Sequence, residues 1–352
     1  MKKIIYLFLI LALPLSAFAQ TATNVVAAQV GNTIEITYDL DQPAQVTLLL
    51  SRDGGATYAP TPKALTGDVG MNVQPGHKKI VWNLFSDDHN WEIERARFKV
   101  VALNMNKEFT LGRISFTMIY VEGGTFTMGA TSEQGKEAGK DEKPAHQVTL
   151  SDYFIGQTEV TQGLWKAVMG TTIRQQRDKG NSIWSIYGEG DNYPMYYINW
   201  DECQEFVNKL NSLLSSQLGG MHFALPTEAQ WEYAARGGKK SKGYKYSGSN
   251  VAWHVAWLND NSNVSTYPVG VKTANELGIH DMSGNVWEWC QDWYGSYSKG
   301  AQTNPTGASS GSDRVDRGGC MVSEAGDCRV SGRDYTSPTD RYRSLGLRLV
   351  LQ

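Results

Sequence analysis

The chain has 352 residues, with Lys+Arg 33 against Asp+Glu 36 and a formal net charge of −3 at pH 7. That balance provides no basic field, which excludes nucleic acid as the expected partner. Tryptophan (11), tyrosine (17) and glycine (36) are abundant, as in loop-rich domains whose short elements are pinned by aromatic rings.

Residues 1–19 read as a signal peptide. Lys2 and Lys3 precede an apolar run from Ile4 to Leu13, and Ala17-Phe18-Ala19 offers a small-residue cleavage site before Gln20. The run is short for a membrane span and no later apolar run matches it. The mature chain is therefore expected to be exported without a transmembrane segment, as a periplasmic, surface-associated or secreted protein. No cysteine follows the cleavage site, which disfavours a lipid anchor.

Residues 20–105 carry period-two patterning: Ile34, Ile36, Tyr38 and Leu40; Val46, Leu48 and Leu50; Ile80, Trp82 and Leu84; Phe98, Val100 and Ala102. Such alternation marks strands with one buried face. Asp53-Gly54-Gly55 is a turn signal, and the spacing predicts an immunoglobulin- or fibronectin-like β-sandwich. No catalytic constellation occurs in it, so a spacer or docking role is expected. A linker falls near residues 104–108.

The second region, 108–352, is expected to be α+β with long loops. Asp201 can cap a helix bearing Cys203, Phe206, Val207, Leu210, Leu213 and Leu214 at three- and four-residue spacing. Thr227-Glu228-Ala229-Gln230 is a capping-box pattern, with Gly237 as the stop. Thr161 to Met169 predicts a third, shorter helix.

Six blocks then occur in order: Met118 to Gly129 (MIYVEGGTFTMG), His146 to Leu150, Glu159 to Thr161, Leu225 to Gly238 (LPTEAQWEYAARGG), Asp281 to Trp289 (DMSGNVWEW) and Arg317-Gly318-Gly319. Together they resemble the formylglycine-generating enzyme, or sulfatase-modifying factor, family. The resemblance spans nearly all of the second region and implies a variant of the C-type lectin fold. It also implies a copper(I) oxidase using two cysteines, since copper(I) prefers soft thiolates. Counted from Gly318-Gly319, the second cysteine position falls on Cys328 and the first on Ser323, which has no thiolate to offer. Cys320 stands where serine is usual, and Met321 where an aromatic residue is usual. Copper and oxidase chemistry are accordingly not expected, and no catalytic residue is assigned. No zinc-protease, Walker or nucleophile-elbow pattern offers another chemistry.

The resemblance further implies a structural calcium site at Asp281, the carbonyls of Gly284 and Val286, and Glu288, all oxygen donors suited to that ion. The alternative is a turn whose carboxylates are satisfied by amides or arginines. Cys290 and Cys328 are candidates for a disulfide in an oxidising compartment, with two buried thiols as the alternative.

Within residues 314–350 the framework residues Arg317, Gly318, Gly319, Arg329, Arg333, Arg341, Gly346 and Arg348 alternate with varied side chains. The candidate ligand-binding residues are Val322, Ser323, Glu324, Asp327, Asp334, Tyr335, Asp340, Tyr342, Arg343 and Ser344. At many of these positions, with Gly332 and Thr336, similar proteins carry asparagine. The types present are those reached by replacing adenines of asparagine codons. This resembles the variable segment of a protein diversified by a retroelement. Tyr335 and Tyr342 are natural contact anchors, offering large area at low entropy cost.

The expected function is an exported ligand-binding protein recognising a protein or glycan at the cell surface. The alternatives are a copper-dependent formylglycine-generating oxidase and a structural component of a bacterial envelope assembly. Trp253, Trp257, Trp287, Trp289 and Trp293 are read as core rather than as a sugar platform.

Overall fold

The computed structural model describes residues 19–20, 22–41, 43–58, 62–87, 96–180 and 185–352, so the signal segment through residue 18 lies outside the described residues. The chain divides into two compact units, Met1–Met105 and Asn106–Gln352.

In the first unit the alternating stretches form strands because each turns one row of apolar side chains inward. The elements are β1 (Ala19–Gln20), β2 (Thr23–Val30), β3 (Thr33–Leu40), β4 (Ala44–Ser51), β5 (Leu65–Gly67), β6 (Gly70–Val73), β7 (Gly76–Asn83), the single-turn α1 (Leu84–Asp87) and β8 (Arg97–Asn104). They make two four-stranded sheets, ordered β1-β8-β4-β6 and β2-β3-β7-β5. Ile36, Tyr38, Leu48, Leu50, Ile80, Trp82, Phe98 and Val100 share one core. Leu84 falls outside β7, because pairing with β3 ends at Asn83 opposite Thr33. The Asp53 carboxylate accepts the Thr57 N–H (2.9 Å) and the hydroxyls of Thr57 and Ser51, which ties the predicted turn.

The second unit begins with β9 (Lys107–Leu111), β10 (Ile114–Val121), β11 (Gly124–Met128), β12 (His146–Leu150) and β13 (Tyr153–Gly156). Helices α2 (Gln162–Met169), α3 (Ile173–Lys179), α4 (Trp200–Leu213) and α5 (Ser215–Leu218) follow, then β14 (Phe223–Ala224), α6 (Glu228–Ala235) and α7 (Ala252–Val255). The chain ends with β15 (Trp287–Trp293), β16 (Gln302–Thr303), β17 (Arg314–Arg317), β18 (Arg333–Thr336), β19 (Leu345–Leu347) and β20 (Val350–Leu351). Three sheets result, ordered β14-β20-β13-β10-β9, β11-β12-β16 and β18-β17-β15-β19. This is a mixed, sheet-rich fold.

Capping explains where its helices start. The Thr161 side chain accepts the Leu164 N–H to open α2, and a Thr227–Gln230 capping box opens α6. For α4 the cap is Asn199, boxed with Glu202, and not Asp201. Asp201 instead lies in the first turn, where the helix dipole favours a carboxylate. Leu213 is exposed while Leu214 is buried, so the apolar stripe ends one position off its expected course. A Thr172–Gln175 box opens α3, which only Ile173 and Gln176 bury, too few for an apolar period to reveal. Trp253 is exposed, contrary to its expected place in the core, because α7 turns Ala252 and Val255 inward instead.

Every residue of α6 is buried, Glu228 and Glu232 included. Buried carboxylates are tolerated only with charged, hydrogen-bonded partners. Glu232 meets Arg236 (2.8 Å) and Arg317, while Glu228 meets Arg333 (2.7 Å). Beneath the first turn, Asp292 accepts the Glu228 N–H at 3.0 Å. Burial, then the charge of Glu228, pushes the Asp292 carboxyl up to about 8.

Two outcomes follow from these pairs. Glu232→Gln removes the nearer of the two carboxylates paired with Arg317, leaving Glu228 at 3.6 Å, and should cost about 3 kcal/mol in urea unfolding. Glu205→Gln, which removes an exposed pair with Lys209, should cost under about 1 kcal/mol. Asp292 binds its proton more tightly folded than unfolded, so its contribution to stability is lost as pH rises from about 4 through about 8. Asp292→Asn keeps an acceptor for Glu228 and removes that loss. Its melting temperature should match the wild type near pH 4 and exceed it by several degrees above pH 8.

Candidate functional site

The segment from Arg314 to Val350 is held by arginines whose heads are buried. Arg317, on β17, pairs with Glu232 and donates to the carbonyls of Ser331 (2.8 Å) and Gly332. Arg329 forks onto Glu142 with bonds of 2.6 and 2.8 Å, and its Nε donates to the Gly326 carbonyl. Arg333 forks onto Glu228 at 2.8 and 2.7 Å and lies over the rings of Tyr294 and Tyr297. Arg348 grips Glu288 at 2.6 Å and donates to the Gly156 carbonyl. Two-pronged guanidinium–carboxylate pairs fix orientation as well as distance. After β17 the chain turns through Gly318 and Gly319, both at positive φ, and a Cβ on Gly319 would stand 2.6 Å from the Cys328 sulfur.

Between these anchors the side chains diverge. Glu324, Asp327, Asp334, Asp340, Tyr335 and Tyr342 are exposed, the two tyrosines by 51% and 50%. Val322, Thr336, Arg343 and Ser344 are half-buried. Ser323 and Gly332 are buried, although both border the cleft described next. That cleft, of about 490 Å³, brings together Val322, Ser323, Asp327, Asp334 and Ser344. Glu324, Tyr335, Asp340, Tyr342 and Arg343 are outside its lining. Successive side chains of a strand alternate, so Asp334 and Tyr335 point to opposite sides of the sheet that β18 edges, and Tyr335 packs on Tyr294 with ring centres 4.3 Å apart.

The other wall comes from Glu137, Gly139, Asp141 and Glu142, with Trp287 beside them. The sequence reading missed this wall. Its one legible signal was a carboxylate available to Arg329, and nothing local joins residue 142 to residue 329.

The cysteine positions are corrected by the structure. Cys203, Cys290, Cys320 and Cys328 are all free and buried, so the Cys290–Cys328 bridge is not formed. Cys290 packs in one core cluster and Cys328 in another, with Tyr246, Ala252 and Val255. Ser323 accepts the Cys320 N–H at 3.1 Å, and its hydroxyl is 3.4 Å from the Cys320 sulfur. Burial pushes the thiols of Cys290, Cys320 and Cys328 up, which disfavours the thiolates that copper(I) requires. With a hydroxyl at the first position and burial disfavouring the nearby thiolates, the residues do not fit a two-thiolate copper centre.

Of the expected calcium donors, Glu288 is already engaged by other groups. Both Glu288 oxygens are taken, by Arg348 and by the Trp231 indole N–H (2.7 Å). Glu288 therefore follows the alternative expected for it, a carboxylate satisfied by an arginine. Val286 is buried in the core, and the Gly284 N–H donates to the Gly318 carbonyl. Asp281 accepts the Gly270 N–H at 2.7 Å and keeps its other oxygen unpartnered, as does Glu159. Burial raises both carboxyls, and the Asp281 charge raises Glu159 further. Among the described residues no three His, Cys, Asp or Glu side chains are grouped to hold a metal.

Fold and site together define a lectin-type domain that displays varied side chains on an arginine-anchored frame. The pattern of the sulfatase-modifying factor enzyme 1-like domain matches residues 111–352, and the chain belongs to that family. It is 33% identical over 272 residues to the chaperone protein LppX of Paenibacillus barcinonensis, covering 67% of this chain and 90% of that one. Identity to the formylglycine-generating enzyme of Streptomyces coelicolor is 27% over 288 residues, covering 65% and 87%. Among solved structures, variable protein 1 of Treponema denticola is similar at TM-score 0.60 and 31% identity, covering 70% of this chain and 98% of that one.

Thiol titration checks the cysteine assignment. A dithiobenzoate reagent should count four thiols per chain after unfolding and almost none within minutes on the folded protein. A count of two after unfolding would restore the disulfide.

Proposed function

We propose that this is an exported ligand-binding protein that presents residues 314–350 as a recognition surface, carried on an immunoglobulin-like spacer. One observation carries the reading: exposed Tyr335 and Tyr342 project from a segment whose arginine heads are locked to buried carboxylates. Side chains on such a frame can change without disturbing the fold, which is what a surface under diversification needs. The likeness to a variable protein supports this, and the relative named a chaperone protein supports a protein as the bound partner. We extend the proposal to diversification by a retroelement. A near-copy of the segment with asparagine codons at the varied positions, beside a reverse transcriptase gene, is the genomic sign to look for.

The mature chain should select a partner in a binding screen against envelope proteins and surface glycans. Tyr335→Ser and Tyr342→Ser should each weaken that binding about tenfold or more while leaving the melting temperature nearly unchanged. Stoichiometric copper(I) binding lost in Cys328→Ser, with oxygen consumed on a cysteine peptide, would replace recognition by oxidase chemistry.

A further inference from the structure

We propose, resting on the recognition reading above, that the cleft beside β18 receives a cationic side chain, lysine or arginine, from a protein partner. Its walls carry Asp141, Asp327 and Asp334. The cations beside them are committed elsewhere: Arg329 to Glu142, Arg333 to Glu228, and Lys245 to Glu137 at 2.7 Å. Among the described residues no lysine, arginine or histidine forms an ion pair with these three aspartates. They act on one another instead. Burial and then the Asp141 charge raise the Asp334 carboxyl, and the Asp327 carboxyl is raised by burial and by Asp334.

A second observation points to a missing cation. Asp316 is 2% exposed, and its Oδ2 has no hydrogen-bond partner. It stands directly opposite Asp334 in the β17–β18 ladder, so both carboxylates leave the sheet on the same side. Like charges in opposed positions destabilise a strand pair: burial and then the Asp334 charge raise the Asp316 carboxyl, and although Thr336 bonds to it, its unpartnered Oδ2 adds to that cost. Trp287 lies on this side too, two residues before Trp289, which pairs with Asp316. Trp287 lines the cleft with Asp334. Carboxylates beside an indole are the surroundings in which a guanidinium or ammonium gains both ion pairing and attraction to the ring.

The cleft volume of about 490 Å³ suits a side chain with an aliphatic stem better than a bare ion. No three acidic, histidine or cysteine side chains among the described residues are grouped as metal donors. A free polyamine would leave the exposed Tyr335 and Tyr342 without a use, whereas a polypeptide would extend over them. These points favour a side chain of a protein.

The test pans a random peptide library on the full chain and measures the selected peptides by calorimetry. The measurements use the wild type and the Asp334→Asn, Asp316→Asn, Tyr335→Ser and Tyr342→Ser variants. Selected peptides should share a lysine or arginine, and replacing it by glutamine should abolish binding. Asp334→Asn should weaken binding about tenfold or more, and added salt should weaken it as well. Asp316→Asn should lower affinity while raising the melting temperature of the free chain, a pairing that a purely structural role would not produce. Unchanged affinity in both aspartate variants overturns the proposal, as does displacement of the peptide by stoichiometric spermidine or calcium. Neutral or acidic peptides that still need Tyr335 and Tyr342 would defeat the cation and leave recognition standing. A library yielding no binder that needs those tyrosines defeats both.

Discussion

The pairing of α6 with the C-terminal segment is the constraint on which the second unit depends. Glu228 and Glu232 lie one helical turn apart on a helix buried along its whole length, and water cannot solvate them. Arg317 and Arg333 must therefore come to them, which draws β17 and β18 against the helix. Once those heads are placed, the Gly318–Gly319 turn, the loop to Arg329 and the edge position of β18 have little freedom left. Charge neutralisation in the core thus sets the geometry of a surface that lies outside it.

The same pairing separates rigid from displayed residues along one short stretch of chain. Arg333 reaches inward while Asp334, its neighbour, borders the cleft, and Tyr335 takes the other side of the strand. Alternation along a strand lets anchors and contact residues share a segment without competing for space. The opposed aspartates of β17 and β18 show the cost of this arrangement. A sheet selected for stability alone would not place two carboxylates there, and sites that break local rules are where function is sought.

Legibility in the sequence followed the range of the interaction. Alternation marked β3, β4, β7 and β8, and the Thr227–Gln230 box marked α6, because neighbours in the chain decide both. The framework arginines were legible as holders of the backbone, but Glu142, Glu232 and Glu288 were not legible as the groups they hold. Arg329 and Glu142 are 187 residues apart, and only tertiary packing brings them together. The proposed bridge between Cys290 and Cys328 failed for a related reason, since sequence spacing did not show that the two thiols enter different core clusters. Glu288 was expected as a calcium donor, and its pairing with Arg348, 60 residues away, could not be read from the glycine turn beside it.

The cysteine region shows how a family frame outlives one kind of chemistry. Two thiolates at close range need solvent, positive charge or a metal to hold them ionised. Cys328 is buried beside Tyr246, Ala252 and Val255, and burial, then the neighbouring Cys320, Asp327 and Glu324, push its thiol up. Asp327, which lines the cleft proposed for a cationic group, thus adds to the burial that disfavours the Cys328 thiolate. Recognition of a cation, as proposed above, and thiolate chemistry make opposite electrostatic demands on neighbouring groups.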